Sequence, residues 1–257
     1  MWFYFLGIFI IFAIIIKRII PHNIAVINDL EHEIKINTIA IKLRNIGIKV
    51  LESNKVCSPY AINECINKIS NNTLNEVFTY HIPVPIKRES NVISESNSIT
   101  LNSYITFKER FKKRVHIDGT TMSMSCRLLY DESVSYQRVC IPYEDDRFSL
   151  FIVLPRQKMD DCYNLINHKP LEKKHVLLKF PIFKVESTID LIGPLKELGV
   201  TDIDRFIQKV SVEISEDCFI EEDYVVSEKV MVCDRPFIFT IMYKEIPIFI
   251  GTISSTE

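Results

Sequence analysis

From Leu101 onward the chain runs as short apolar segments separated by turn residues. SYITF (103–107), RVCIPY (138–143), FSLFIVLP (148–155), HVLLKFPIFKV (175–185), KVSVEI (209–214) and PFIFTI (236–241) are rich in β-branched and aromatic residues, which predicts strands. FSLFIVLP and PFIFTI are almost continuously apolar, so their strands are expected to be covered on both faces. One helical pattern interrupts them: STIDLIGPLKELGV (187–200) puts Leu191, Leu195 and Leu198 on a stripe, with Gly199 as the stop. Upstream, the stretch from Asn37 to Val50 has apolar residues at near-helical spacing and predicts an amphipathic helix. SPYAINECINKIS (58–70) predicts a second helix, with Ser58 as N-cap, Pro59 at the first helical position, and Ile62, Cys65, Ile66 and Ile69 on one face. The segment 81–100 is polar, with two prolines and repeated Ser and Asn, and reads as loop or weak strand. Helices first and strands later predict an α+β fold around large sheets.

The stretch CFIEEDYVVSEKVMVCDRPFIF (218–239) stands apart. CFIEE reads as the end of one strand, and DRPFIF as the Pro-initiated start of another. The ten or so residues between them hold no Gly or Ala, although an exposed connection is expected there.

At 257 residues the chain can bury a substantial core. A net charge of −2 argues against nucleic acid as a partner. The basic run FKERFKKR (107–114) is too short to alter this and reads as a solvated strand end or turn. The seven cysteines form no CxxC pair and no metal-ligand spacing with His, so they read as mostly buried free thiols. His168 and His175 sit in a Lys-rich stretch that reads as surface. No hydrolase, zincin, dinucleotide-binding or P-loop motif occurs, and the chain is not expected to be an enzyme or to use a metal or cofactor.

WFYFLGIFIIFAIII (2–16) is a run of fifteen apolar residues followed by Lys17 and Arg18. Its length suits a signal-peptide core better than a full membrane span, although no positive charge precedes it. Residues 1–20 are therefore expected to be a leader, either a signal peptide or an anchor, and secretion is the expectation. Asn71 in NNT is a glycosylation sequon, usable if the chain is secreted.

Five further motifs, in order, carry a resemblance. SPYAI at 58–62 resembles the Ser-Pro-x-Ser-Ile of the serpin family, with Ala61 replacing Ser. LNSYITFKERFKKR is similar to that family's Asn-Ala-x-x-Phe-Lys-Gly-x-Trp strand and turn: Asn102, Phe107 and Lys108 fit, and Phe111 replaces the Trp. VCIPYEDDRFSLFIVLP resembles its Leu-Pro-Tyr strand pair, and FPIFKVESTIDLIGPLKELGVTDIDRF its Pro-Lys-Phe…Leu-Gly-x-x-Asp-x-Phe segment. DRPFIFTIMYKEIPIFIGTIS resembles its C-terminal signature of Arg-Pro-Phe, a buried strand and Phe-x-Gly. The resemblance implies one serpin-like domain over 21–257, shortened around 80–100 in the manner of poxvirus serpins. It further implies a narrower central sheet, partly uncovered, and serine-protease inhibition as the ancestral activity.

In that family, protease attacks an exposed loop, which then inserts as a new strand into the central sheet. The resemblance places the remnant of this loop at Glu221, Glu222, Asp223, Tyr224, Val225, Val226, Ser227, Glu228, Lys229, Val230 and Met231, with Lys229 as candidate bait for trypsin-like enzymes. The remnant has no run of small residues. The seven residues from Asp223 to Lys229 span about 23 Å as strand, which is expected to be a fraction of the sheet. The implied partner is a host serine protease or another host protein, met by a monomer, with membrane contact only through 2–16 if that segment is retained. Two functions stay open: a secreted protease inhibitor that modulates the host, and a non-inhibitory binding protein on the same scaffold.

Overall fold

The computed structural model describes residues 41, 44–51, 56–63, 86–95, 98–107, 109–113, 115–166, 172–197, 204–214 and 227–254. The chain divides into the units 1–41 and 42–257, and nearly all described residues belong to the second. The expected leader, the sequon at Asn71, His168 and six residues of the loop remnant (Glu221 to Val226) lie outside the described residues.

Thirteen strands are present among the described residues. They are β1 (Val56–Cys57), β2 (Ile86–Glu95), β3 (Ser98–Phe107), β4 (His116–Asp118), β5 (Thr121–Glu132), β6 (Tyr136–Pro142), β7 (Phe148–Pro155), β8 (Glu172–Pro181), β9 (Phe183–Asp190), β10 (Arg205–Ile214), β11 (Lys229–Val232), β12 (Phe237–Tyr243) and β13 (Ile246–Ile253). A nine-stranded sheet runs β1-β13-β12-β7-β6-β5-β8-β11, with β4 on β5, and a four-stranded sheet runs β2-β3-β10-β9. Helical backbone covers 44–51 (α1), 59–63 (α2) and Ile192–Glu197 (α3). The expected α+β, sheet-dominated architecture is what the chain adopts.

Continuous apolarity in β7 and β12 reflects a core on each side of the large sheet. On one face, Phe151 and Val153 of β7 and Ile238 and Met242 of β12 pack with Val50 and Leu51 of α1 and Ile62 of α2. Gly47 lets α1 approach this closely, because a Cβ there would lie 2.5 Å from Ile250 Cδ1 and 2.8 Å from Pro59 Cγ. The other face is aromatic. Phe183 of β9 lies 5.0 Å from Phe239, and Phe107 of β3 lies 5.1 Å from Tyr143, 5.7 Å from Phe148 and 6.0 Å from Phe249. The small sheet contributes to both cores, because Ile189 of β9 and Phe206 of β10 join the cluster on the helix side.

Three sequence expectations change. The polar segment 81–100 contributes full strands, β2 and the start of β3, paired antiparallel over ten positions. The helix expected over 187–200 begins only at Ile192, because Ser187 to Asp190 extend β9 against β10. Asp190 Oδ1 then accepts the Ile192 N–H at 3.0 Å and starts the helix. Its expected end, Leu198 and Gly199, lies outside the described residues. Finally, β5 was not anticipated: Met122, Met124, Leu128 and Tyr130 alternate inward on it, but Met and Ser carry a weak strand signal.

The two sheets are joined through Ser58. Its Oγ caps α2 by accepting the Ala61 N–H at 3.2 Å, as expected, and donates to Ile248 O of β13 at 2.7 Å. Gln208 of β10 is fully buried and clasps the Ser58 backbone, with Nε2 on Ser58 O and Oε1 on Ser58 N, each at 3.1 Å. Replacing Gln208 with Leu leaves the buried Ser58 N–H without a partner, while Ser58 O keeps only the Ile62 N–H at 3.1 Å. The expected loss is about 2–3 kcal/mol, read as a lower urea midpoint with an unchanged denaturant slope; an unaltered midpoint would contradict the role of this contact.

Candidate functional site around strand β11

The residues that the resemblance assigned to an exposed loop end in a strand. Lys229 to Val232 pair in parallel with Val176 to Lys179 of β8. The pairing is extended at both ends, with Glu228 N–H donating to His175 O at 2.9 Å and Cys233 N–H to Lys179 O at 2.8 Å. Val230 and Val232 favour strand geometry, Met231 is fully buried, and Pro236, which has no N–H to offer, follows Asp234 and Arg235 before β12 begins. Ser227 leans toward β5, its Oγ 3.0 Å from Ser125 Oγ. Val230 and Val232 are 55% and 38% exposed, so this strand shows apolar surface at the end of the sheet. His175, read from the sequence as a surface residue, is half-buried within β8.

β6 and β11 are separated in the strand order by β5 and β8, yet a β6 side chain reaches the β11 backbone. Gln137 of β6 donates through Nε2 to Val230 O at 2.9 Å and to Tyr130 OH at 2.9 Å. Tyr130 OH donates to Glu132 Oε2 at 3.0 Å. Glu132, at the end of β5, holds two cations: Lys229 Nζ on Oε1 at 2.6 Å and Arg156 Nη2 on Oε2 at 2.8 Å. Beside this group, the buried Arg138 pairs with Asp131 and donates to Leu165 O at 3.1 Å.

This arrangement fixes the electrostatics. The Lys229 ammonium, with help from the Tyr130 hydroxyl and Arg156, holds the Glu132 carboxyl below its ordinary value of 4.5. Burial, opposed in part by the Gln137 hydrogen bond, pushes Tyr130 up to about 12. Cys233, just after β11, is likewise pushed up to about 12 by burial and is a poor nucleophile at neutral pH. Among the described residues no group of three His, Cys, Asp or Glu could hold a metal ion.

Of the eleven loop-remnant residues, Ser227 and Glu228 lie just before β11 and Lys229, Val230 and Met231 lie within it. Glu132, Gln137, Tyr130 and Arg156 were not anticipated. Glu132 and Gln137 meet β11 from 97 and 93 residues away, Tyr130 and Arg156 bind Glu132, and no local pattern marks any of them. The basic run 107–114 is solvated where described: Arg110, Lys112 and Lys113 are exposed, and Lys112 pairs with Asp146 at 3.2 Å. Phe111, in place of the family's Trp, stacks on Tyr143 at 4.8 Å. Cys57, Cys162 and Cys233 are buried, and Cys126 and Cys140 are half-buried.

Because the Glu132 carboxyl is depressed in the folded protein, its contribution is complete above the unfolded value and is lost as pH falls through the folded one. A Glu132→Gln variant should therefore be less stable than the parent at pH 7, by about 1 kcal/mol for partly exposed pairs. The two should converge in urea titrations below about pH 4. A gap that persists unchanged at pH 3 would refute the assignment.

Comparison with known proteins places this geometry. Residues 106–256 match the family model described as Serpin (serine protease inhibitor). The leukocyte elastase inhibitor of Bos taurus is 27% identical over 194 residues, covering 58% of this chain and 49% of that protein. An uncharacterized serpin-like protein of fowlpox virus is 28% identical over 119 residues, covering 38% of this chain and 33% of that protein. Among solved structures, the insect Serpin48 of Tenebrio molitor superposes with a TM-score of 0.68 at 16% identity, over 86% of this chain and 98% of that one. The chain spans about half the length of the curated relatives it matches. The family model covers more than half of the sequence, and the chain belongs to the serpin family.

Proposed function

We propose that the chain is a non-enzymatic serpin that binds a protein partner through its folded surface and does not capture a protease by covalent trapping. The observation that carries this reading is the position of Lys229. The bond after the candidate bait residue is the first of a paired edge strand, and its side chain is already held by Glu132. A protease needs its substrate segment extended and accessible, and loop tips, not sheet strands, supply that.

Length is the weaker obstacle. β3 and β10 are paired over eight positions, about 26 Å of strand, so an insert of about 23 Å would cover most of that ladder. The expected insert is thus a fraction of the ladder, but a large one. Composition is the stronger obstacle. An inserted strand between β3 and β10 must turn alternate residues toward the core that holds Phe206, Val210 and Val212. Of the segment Asp223 to Lys229, one face carries Asp223 and Lys229 and the other carries Glu228, so either choice directs a charge inward.

The names of the bovine relative and of the plasminogen activator inhibitor 1 of Mus musculus support a serine protease as the class of partner. The fowlpox relative supports a viral, host-directed setting. The apolar segment 2–16 supports entry to the secretory pathway, and Asn71 would then be a glycan site. We take the chain to act as a monomer.

Incubation with trypsin-, elastase- and chymotrypsin-like proteases, followed by denaturing gels, should give no band at the summed mass. A stable band at that mass would establish trapping and overturn the proposal. Expression in a secreting cell should deliver the chain to the medium with an N-terminus beyond residue 16. Retention on membranes with the intact N-terminus would replace secretion by anchoring.

A further inference from the structure

We propose that Glu132 withholds Lys229 from trypsin-like proteases by occupying the ammonium group that such an enzyme must bind. Enzymes of this class recognise a basic residue through a carboxylate at the base of the specificity pocket. Here an internal carboxylate takes that place, 2.6 Å from Lys229 Nζ. The cut requires the Lys229 side chain to leave Glu132 and enter the protease, so the two carboxylates compete for one cation.

Glu132 is built to hold this position. Tyr130, on the same strand, and Arg156, at the end of β7, both bind its Oε2, which leaves Oε1 directed at Lys229. Gln137 fastens both ends of the arrangement, reaching Tyr130 OH and the Val230 carbonyl, which lies on the amine side of the Lys229–Val230 bond. The side chain and the backbone on the far side of the bond are thus held by one hydrogen-bonded group. The carboxylate is only 26% exposed, so an incoming protease cannot displace it without first loosening the strand. Two further holds act on β11, the buried Met231 and the ladder to β8, and Glu132 adds to them.

Glu132 is a positioning residue in this scheme. The hydrolysis itself, in which water adds across the Lys229–Val230 amide to give a new carboxylate and a new amine, belongs to the protease. The inference concerns access to this bond and goes beyond the question of trapping. It is read from simple cleavage, with no covalent complex required.

Limited digestion of the full chain by trypsin, with fragments quantified by mass spectrometry, tests it. Lys158, exposed in the loop after β7, serves as the internal reference site. In the parent protein, cleavage after Lys229 should be slow relative to cleavage after Lys158. In Glu132→Gln the ratio should rise about fivefold, the change that 1 kcal/mol of lost anchorage produces. Amide exchange at Glu228 and Cys233, whose N–H groups bond to β8, should accelerate by a similar factor. Glu132→Asp, which keeps the charge but withdraws it by one methylene, should fall between the two, and it carries the test if the Gln variant does not fold. An unchanged ratio in the folded variants, or a parent cut as readily after Lys229 as after Lys158, would overturn the assignment.

Discussion

The fold depends on the contact between one buried amide and one serine backbone. Gln208 matches a donor to a carbonyl and an acceptor to an N–H, and so serves both backbone polar groups of the fully buried Ser58. Ser58 in turn joins the cap of α2 to β13. The four-stranded sheet is therefore fastened to the large sheet at the point where β10, α2 and β13 converge. A second link lies nearby, where Val56 N–H donates to Ser187 Oγ of β9 at 3.1 Å. Aromatic packing supplies most of the energy between the sheets, because it removes large apolar areas from water. Packing of that kind is tolerant of sliding, whereas the Gln208–Ser58 pair accepts one alignment only.

That alignment bears on how a shortened member of the family can remain folded. The small sheet has four strands among the described residues, and β3 and β10 lie directly side by side in it. Phe107 of β3 is already in contact with the aromatic face of the large sheet, and Phe206 of β10 packs in the core with Phe151 and Val153 of β7. Parting them to admit another strand would require loosening the clasp on Ser58 and placing a charged residue against Phe206 and Val210. The same interactions that stabilise the sheet as it stands therefore oppose the rearrangement on which covalent trapping relies.

Much of this was legible in the sequence, and the reason differs between elements. Strands buried on both faces, β7 and β12, announce themselves because nearly every position is apolar. The α2 start was legible because Ser-Pro combines a side-chain acceptor with a proline whose missing N–H costs nothing there. β5 was not legible, since its alternation is carried by Met against Ser. The strand β2 was hidden for a related reason: IKRESNVISE is polar and contains no long apolar run, and pairing with β3 determines its conformation. STID looked helical because the stripe of Leu191, Leu195 and Leu198 extends that pattern, and strand pairing with β10 overrode it.

The site was the least legible part, and the cause is physical. KVMV reads equally well as a strand or as the apolar part of an exposed loop. What decides between them is Glu132, ninety-seven residues away along the chain. A family resemblance points to the loop reading, since relatives present a loop at this place. The pairing with β8, the burial of Met231 and the carboxylate on Lys229 point to the strand reading. The contributions are individually small: about 1 kcal/mol for a partly exposed ion pair, a similar amount for each ladder hydrogen bond, and about 2 kcal/mol for a buried methionine. Together they exceed the entropy recovered by freeing four residues only narrowly. An edge strand so balanced is held closed by the sum of its contacts, and a partner that supplies its own carboxylate and its own strand edge could draw it out.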